Sequence, residues 1–199
     1  FMSISLLKSM DYITSYMSLL GSKEMLKIAE LSFQEAKKEV ILNNNRKKNK
    51  PRIIWRGLFP FLNDEMVRYL EDQCNFDLIP ENNFFYADLQ SIMDIDDPYI
   101  FLAQKLISFC GPRRIESIVK KRMLNTFEQY SVDGMIIFNQ WGCRSMFIIN
   151  QMIRDFLSQR NIPVLEIDGD YIDGRNYSFS QIKVRIDAFA EILHKKNFH

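Results

Sequence analysis

The chain has 199 residues, of which 47% are apolar and 26% charged, enough apolar residue for about one packed domain and too much for a disordered chain. A net charge of +1 lacks the basic footprint of a dedicated nucleic-acid binder, and three cysteines without a CxxC pair exclude a disulfide framework or a self-contained zinc site and point to a reducing compartment. The longest apolar runs, such as Met135-Ile136-Ile137-Phe138, fall far short of the roughly 20 residues of a membrane span, and no secretion signal opens the chain, so the expectation is a soluble, cytoplasmic protein.

Residues 4–43 carry helical spacing. Leu6, Met10, Ile13 and Met17 form one stripe; after Gly21, with Ser22 as cap, a second helix sets Met25, Ile28, Ala29, Phe33 and Ala36 at intervals of three and four. Asn43-Asn44-Asn45 and the basic run to Lys50, closed by Pro51, read as a solvated linker. The division that follows is a helical appendage over 1–48 and an α/β domain over 49–199.

Beyond the linker, short apolar runs alternate with amphipathic ones. Ile53-Ile54-Trp55, Phe76 to Ile79, Gly134 to Phe138 and Val164 to Ile167 each read as a strand. Asp64 to Asp72, Tyr99 to Ile107, Ile115 to Tyr130, Arg144 to Gln159 and Phe179 to Lys195 read as helices, and a short edge strand near Asn83 to Tyr86 is an alternative within the longest gap. Alternation of this kind predicts an α/β fold, a mostly parallel sheet with helices on both faces. Function in such sheets gathers at the carboxyl ends of the strands.

The loop after the first strand has one glycine, Gly57, followed by Leu58, Phe59 and Pro60, and so lacks the small residues of a phosphate cradle. This argues against a flavin-binding relative. Cys143 stands at the exit of the third strand, before the helix that opens near Arg144. The helix dipole and the Arg144 guanidinium both favour a thiolate there, able to ligate iron, and Gly142 permits a sharp turn and leaves clearance beside the sulfur. The alternative is a buried, inert thiol. Cys74 and Cys110, at helix ends, read as structural. His194 and His199, at the very end of the chain, read as poor candidates for general acid-base work. Asp168, Asp170 and Asp173, close to Arg175, read as an aspartate-capped turn in preference to a hard-cation site, and Ser178 with Gln181 as a capping box.

The segment from Asp168 to Leu193 carries an aspartate, an Arg175-Asn176-Tyr177-Ser178 turn, then Gln181, Arg185 and Ala188-Phe189-Ala190-Glu191 along one helix. It resembles the carboxyl-terminal end of the D-component subunits of 2-hydroxyacyl-CoA dehydratases, a family that includes the benzoyl-CoA reductase subunits. Val132-Asp133-Gly134, Trp141-Gly142-Cys143-Arg144, Asn161 to Leu165 and Pro51 to Gly57 are similar to the same family in the same order, over about residues 50–195. Gln140 stands where related subunits often have histidine.

The resemblance implies a flavodoxin-like α/β domain, a doubly wound parallel sheet of four or five strands with a helical pair in front, within an iron-sulfur lyase from anaerobes. Reductive, ketyl-radical dehydration of a 2-hydroxyacyl-CoA thioester would proceed with a related dehydratase subunit and an ATP-dependent activator protein as partners. It also implies a [4Fe-4S] cluster held by three cysteines, two from an amino-terminal domain and one from the carboxyl-terminal domain. Cys143 matches the last, with Gly142 giving clearance and Arg144 tuning charge. Family members are longer than this chain and the matching parts are carboxyl-terminal, so residues 1–48 correspond to interdomain helices, and this chain alone is expected to hold an incomplete cluster and be inactive. A benzoyl-CoA reductase-type subunit and a cluster-free partner-binding module, with Phe84-Phe85-Tyr86 at its interface, stay open as alternatives.

Overall fold

The computed structural model describes residues 19, 22–43, 50–57, 64–81, 96–110, 123–124, 127–128, 130–176 and 178–196. The first predicted helix, the edge strand at 83–86 with its aromatic cluster, and most of the helix expected over 115–130 lie outside them. Helix α1 spans Lys23–Asn43 and begins as its sequence dictates, with Ser22 Oγ accepting the Met25 amide at 3.2 Å. Its buried stripe differs from the expected one. Ser32 is buried, its hydroxyl donating to the Ile28 carbonyl at 2.7 Å, whereas Phe33 is 59% exposed.

Strands β1 (Arg52–Arg56), β2 (Asp77–Pro80), β3 (Gly134–Gln140) and β4 (Val164–Gly169) form one parallel sheet in the order β2-β1-β3-β4. Register is fixed by pairs such as Ile53 with Leu78, Trp55 with Ile136 and Asn139 with Asp168. Between the strands lie α2 (Asp64–Arg68), α3 (Pro98–Cys110) and α4 (Arg144–Ser158), and α5 (Phe179–Lys196) closes the fold. The helix expected over 64–72 is α-helical only to Arg68 and widens to a π turn over Tyr69–Gln73. Asn75 then turns the chain with φ 56°, a conformation asparagine tolerates.

Alternation along each strand sorts side chains to two cores. Ile53, Trp55, Ile136, Phe138, Leu165 and Ile167 face one side. There they meet Met66, Val67, Leu70, Cys74 and Phe76 from the segment around α2, and Ile182, Ile186, Phe189 and Leu193 of α5. The four-three-four spacing of the α5 residues is an apolar helical stripe laid on the sheet. Ile54, Met135 and Ile137 face the other side, against Ile153, Phe156 and Leu157 of α4 and the helical residues Met123 and Phe127. Strands covered on both faces are apolar almost throughout, as a parallel sheet requires. This is the parallel sheet covered on both faces that the alternation predicts, in the doubly wound, flavodoxin-like form that the resemblance implies.

Strand order reverses between β1 and β3, whose helices cover opposite faces. The carboxyl ends of these two strands therefore flank a crevice position, and the segments leaving them are Gly57 and Gln140 to Cys143. Gly57 has φ 103°, and a Cβ there would stand 2.5 Å from the Phe138 carbonyl oxygen, so only glycine fits where β1 leaves the sheet against β3.

Candidate functional site at the carboxyl edge of the sheet

Cys143 is the residue before the first turn of α4, with φ −83° and ψ 85°. Two tight backbone bonds deliver it there: its amide donates to the Gln140 carbonyl at 3.2 Å, and the Arg144 amide donates to the Gly142 carbonyl at 3.1 Å. Gly142 turns with φ 79°, and a Cβ at that position would meet nothing within 4 Å among the described residues. The thiol makes no capping bond to α4 and is half-buried, with the Ser145 hydroxyl at 3.6 Å. Arg144 is exposed at the first helical position.

The other cysteines stand elsewhere. Cys74 follows the π turn and precedes β2, so it lies toward the amino edge of the sheet, buried in the core beneath α5. Cys143 lies at the opposite edge, on the helix of the opposite face, and the two cannot share a ligand. Burial pushes the Cys74 thiol up to about 11 from its ordinary value of 9, assisted by the Asp187 carboxylate. Its contribution to stability is therefore intact below pH 9 and lost as pH rises toward 11. At neutral pH a small alkylating reagent is expected to modify Cys143 and leave Cys74 unmodified until the chain unfolds; peptide-resolved mass spectrometry reads both. Cys110 ends α3, and its side chain lies outside the described residues, as does His199. His194 packs near Phe76, ring centroids 6.3 Å apart, away from the carboxyl edge.

After β4 the aspartates build a turn, as predicted. Asp170 Oδ1 accepts the amides of Ile172 and Asp173 at 2.8 and 2.9 Å, and these bonds hold its carboxyl below the usual range. Asp173 grips Arg175, whose guanidinium lowers it likewise. Gln140 joins this turn to the Cys143 loop: its Nε2 donates to Asp170 Oδ2 at 2.9 Å and its Oε1 accepts the Tyr171 amide at 2.8 Å. The capping box expected from Ser178 and Gln181 is not what opens α5: the Ser178 carbonyl, rather than its hydroxyl, accepts the Gln181 and Ile182 amides, and the hydroxyl lies 3.0 Å from that of Ser180, whose competing contact draws it away from the Gln181 amide.

Beneath the same edge lies a polar network that no contiguous sequence motif signals. Arg56 of β1, 4% exposed, ion-pairs with Glu81 just past β2, and its Nε donates to Asn150 Oδ1 of α4 at 2.7 Å. Asn150 Nδ2 donates to Asn139 Oδ1 of β3 at 2.6 Å. Asn139 Nδ2 donates in turn to Asp168 Oδ1 at 3.0 Å and Glu166 Oε2 at 3.2 Å on β4. Arg154 of α4 stands over Glu166, 2.9 Å from Oε1, an ion pair without an aligned hydrogen bond.

A guanidinium can only donate and a carboxylate only accept, so the two ends of the chain fix both amide orientations between them. The α4-facing core is thus apolar toward the amino edge and charged toward the carboxyl edge. A signal for it exists in the sequence, since Arg56 and Asn139 occupy inward-facing positions of otherwise apolar strands and Asn150 falls within the apolar stripe of α4.

The family model for 2-hydroxyglutaryl-CoA dehydratase, D-component, matches residues 2–193, nearly the whole chain. Among curated proteins, the (R)-phenyllactyl-CoA dehydratase alpha subunit of Clostridium sporogenes is 26% identical over 152 residues, covering 74% of this chain and 35% of that protein. The lactoyl-CoA dehydratase subunit alpha of Anaerotignum propionicum is 27% identical over 88 residues, covering 44% of this chain and 20% of its own length. The chain thus spans about a third or less of these relatives. Among the described residues no helix is long and apolar enough to cross a membrane. With a parallel sheet covered by helices on both faces and a family match over residues 2–193, the chain belongs to the 2-hydroxyglutaryl-CoA dehydratase D-component family.

Proposed function

We propose that residues 49–199 form the α/β domain of an iron-sulfur 2-hydroxyacyl-CoA dehydratase subunit. The observation that carries this reading is a non-capping thiol, Cys143, presented at the carboxyl edge of the sheet beside Gly142, where a Cβ would meet none of the described residues, in a chain matched over residues 2–193 by the D-component model. These residues fit one ligand of a [4Fe-4S] cluster, and Cys74, at the other edge, does not supply a second. The remaining cysteines come from elsewhere in the assembly, with a related subunit, an acyl-CoA substrate and an ATP-dependent activator as partners.

When bound, the cluster supplies single electrons at the low potential that reduction of a thioester demands. The chain's own contribution is to hold. Cys143 offers its sulfur to iron, and the positive end of α4 favours negative charge there. Gly142 keeps the approach open, Arg144 places a cation at the rim, and Gln140 ties the loop to the turn after β4. Cytoplasmic residence is part of the same reading, since exposed low-potential clusters and free thiols belong to a reducing compartment.

The test is turnover by the anaerobically isolated native complex that contains this chain, supplied with activator, ATP and a panel of 2-hydroxyacyl-CoA thioesters. Formation of the 2-enoyl-CoA is expected with the wild-type chain, and at least a hundredfold less with Cys143→Ser. Full turnover in the variant contradicts the assignment. Reduction of benzoyl-CoA in place of dehydration moves the chain to the reductase branch.

A further inference from the structure

Asn150 and Cys143 are seven residues apart on or beside α4, which is two helical turns, so they lie on nearly the same side of the helix about 10 Å apart along its axis. Asn150 is 1% exposed and is held from both sides, by Arg56 of β1 through its oxygen and by Asn139 of β3 through its nitrogen. β1 and β3 are the two strands between which the sheet order reverses. Apolar contacts at Ile153, Phe156 and Leu157 press α4 onto the sheet but permit sliding and rolling, because such contacts have no direction. The two hydrogen bonds of Asn150 do have direction.

We infer that Asn150, clamped between Arg56 and Asn139, is a positioning residue that sets the axial register and roll of α4 and so fixes where Cys143 stands at the carboxyl edge. The inference deepens the proposed role of Cys143 and rests on it for its functional meaning, although the clamp itself is independent of iron. The cost of burying an arginine and two amides at the sheet edge makes sense as a means of location, since a polar clamp defines one arrangement where apolar packing allows several. Orientation is enforced along the whole chain. If Asn150 turned its nitrogen to Arg56, or Asn139 its oxygen to Asp168 and Glu166, donor would face donor or acceptor face acceptor.

The test uses the rate at which the folded chain's Cys143 is alkylated, resolved by peptide mass spectrometry, with Cys74 followed in the same sample. Cys74 lies in the core of the opposite sheet face and reports global opening. Asn150→Asp keeps the shape and the acceptor toward Arg56 but removes the donor toward Asn139. Asn150→Ser shortens the side chain and breaks both bonds. Gln151→Ala, on the solvent side of α4, is the control. The expected result is a change of threefold or more in the Cys143 rate for either Asn150 variant, with Cys74 unchanged and the control at the wild-type rate. An unchanged Cys143 rate overturns the inference, as does a parallel rise at both cysteines, which would make Asn150 a general stabiliser. Unfolding of both variants also counts against it, since the clamp would then be a requirement of folding and not of position. Failure of the iron-ligand reading is separately visible, as iron retained by the native complex carrying Cys143→Ser.

Discussion

Replacing Arg56 by methionine is expected to cost about 3–5 kcal/mol of folding stability, measured by urea denaturation at neutral pH. Methionine fills much of the same volume, so packing is not the main loss. What is lost is the partner of a buried carboxylate: Glu81 sits 12% exposed against the guanidinium, and without it an unpaired charge stays at the end of β2. Asn150 loses its donor at the same time, so the amide chain to Asn139 no longer has a fixed direction. Changing Glu81 to leucine in the same chain should recover part of the loss, because the unpaired charge is then gone. A variant as stable as wild type would mean that the network contributes nothing to folding.

Phe138→Ala is expected to cost a similar 3–5 kcal/mol, for a different reason. Phe138 is fully buried in β3, stacked on Trp55 with ring centroids 5.9 Å apart and lying 5.2 Å from the Tyr171 ring. The two strands that present Trp55 and Phe138 are neighbours in the centre of the sheet, so the cavity lies beneath backbone that cannot collapse. Gly169 approaches the same ring so closely that a Cβ there would stand 2.8 Å from Cζ. Loss of the ring therefore also loosens the strand that leads to the Asp170 turn. The midpoint of thermal or urea unfolding reads the cost, and a loss under 1 kcal/mol would indicate that the site repacks.

Sheet, helices and their alternation were legible because each depends on local periodicity. Ile53, Trp55, Ile136 and Phe138 announce one face by simple alternation, and Ile182, Ile186, Phe189 and Leu193 announce the helix that covers it. Strand ends were less visible. β3 continues through Asn139 and Gln140, two polar residues that hydropathy assigns to a loop but that tertiary hydrogen bonds hold in the ladder. The π turn after Arg68 was hidden for the same reason, since its apolar spacing still reads as helix. Phe33 was placed in a stripe by spacing, yet the helix buries Ser32 instead, whose hydroxyl is satisfied within its own turn.

For the candidate site, the position of Cys143 before a helix and the φ of Gly142 followed from the residues between a strand and an amphipathic run. The aspartate turn did also, because Asp170 and Asp173 satisfy amides two or three residues onward. The Arg56–Asn150–Asn139 chain did not. Its members stand 83 and 11 residues apart in sequence from Asn139, and nothing local pairs them before β1 and β3 become neighbours and α4 crosses over both.

Cys143 is proposed as an iron ligand. The most direct measurement is iron and acid-labile sulfide per complex, with the visible absorption of the cluster, in the anaerobically isolated native assembly carrying either cysteine or serine at position 143. Cys143→Ser is expected to remove most of the iron bound through this chain, while Cys74→Ser leaves it unchanged. Equal iron in the wild type and the Cys143→Ser variant would contradict the assignment.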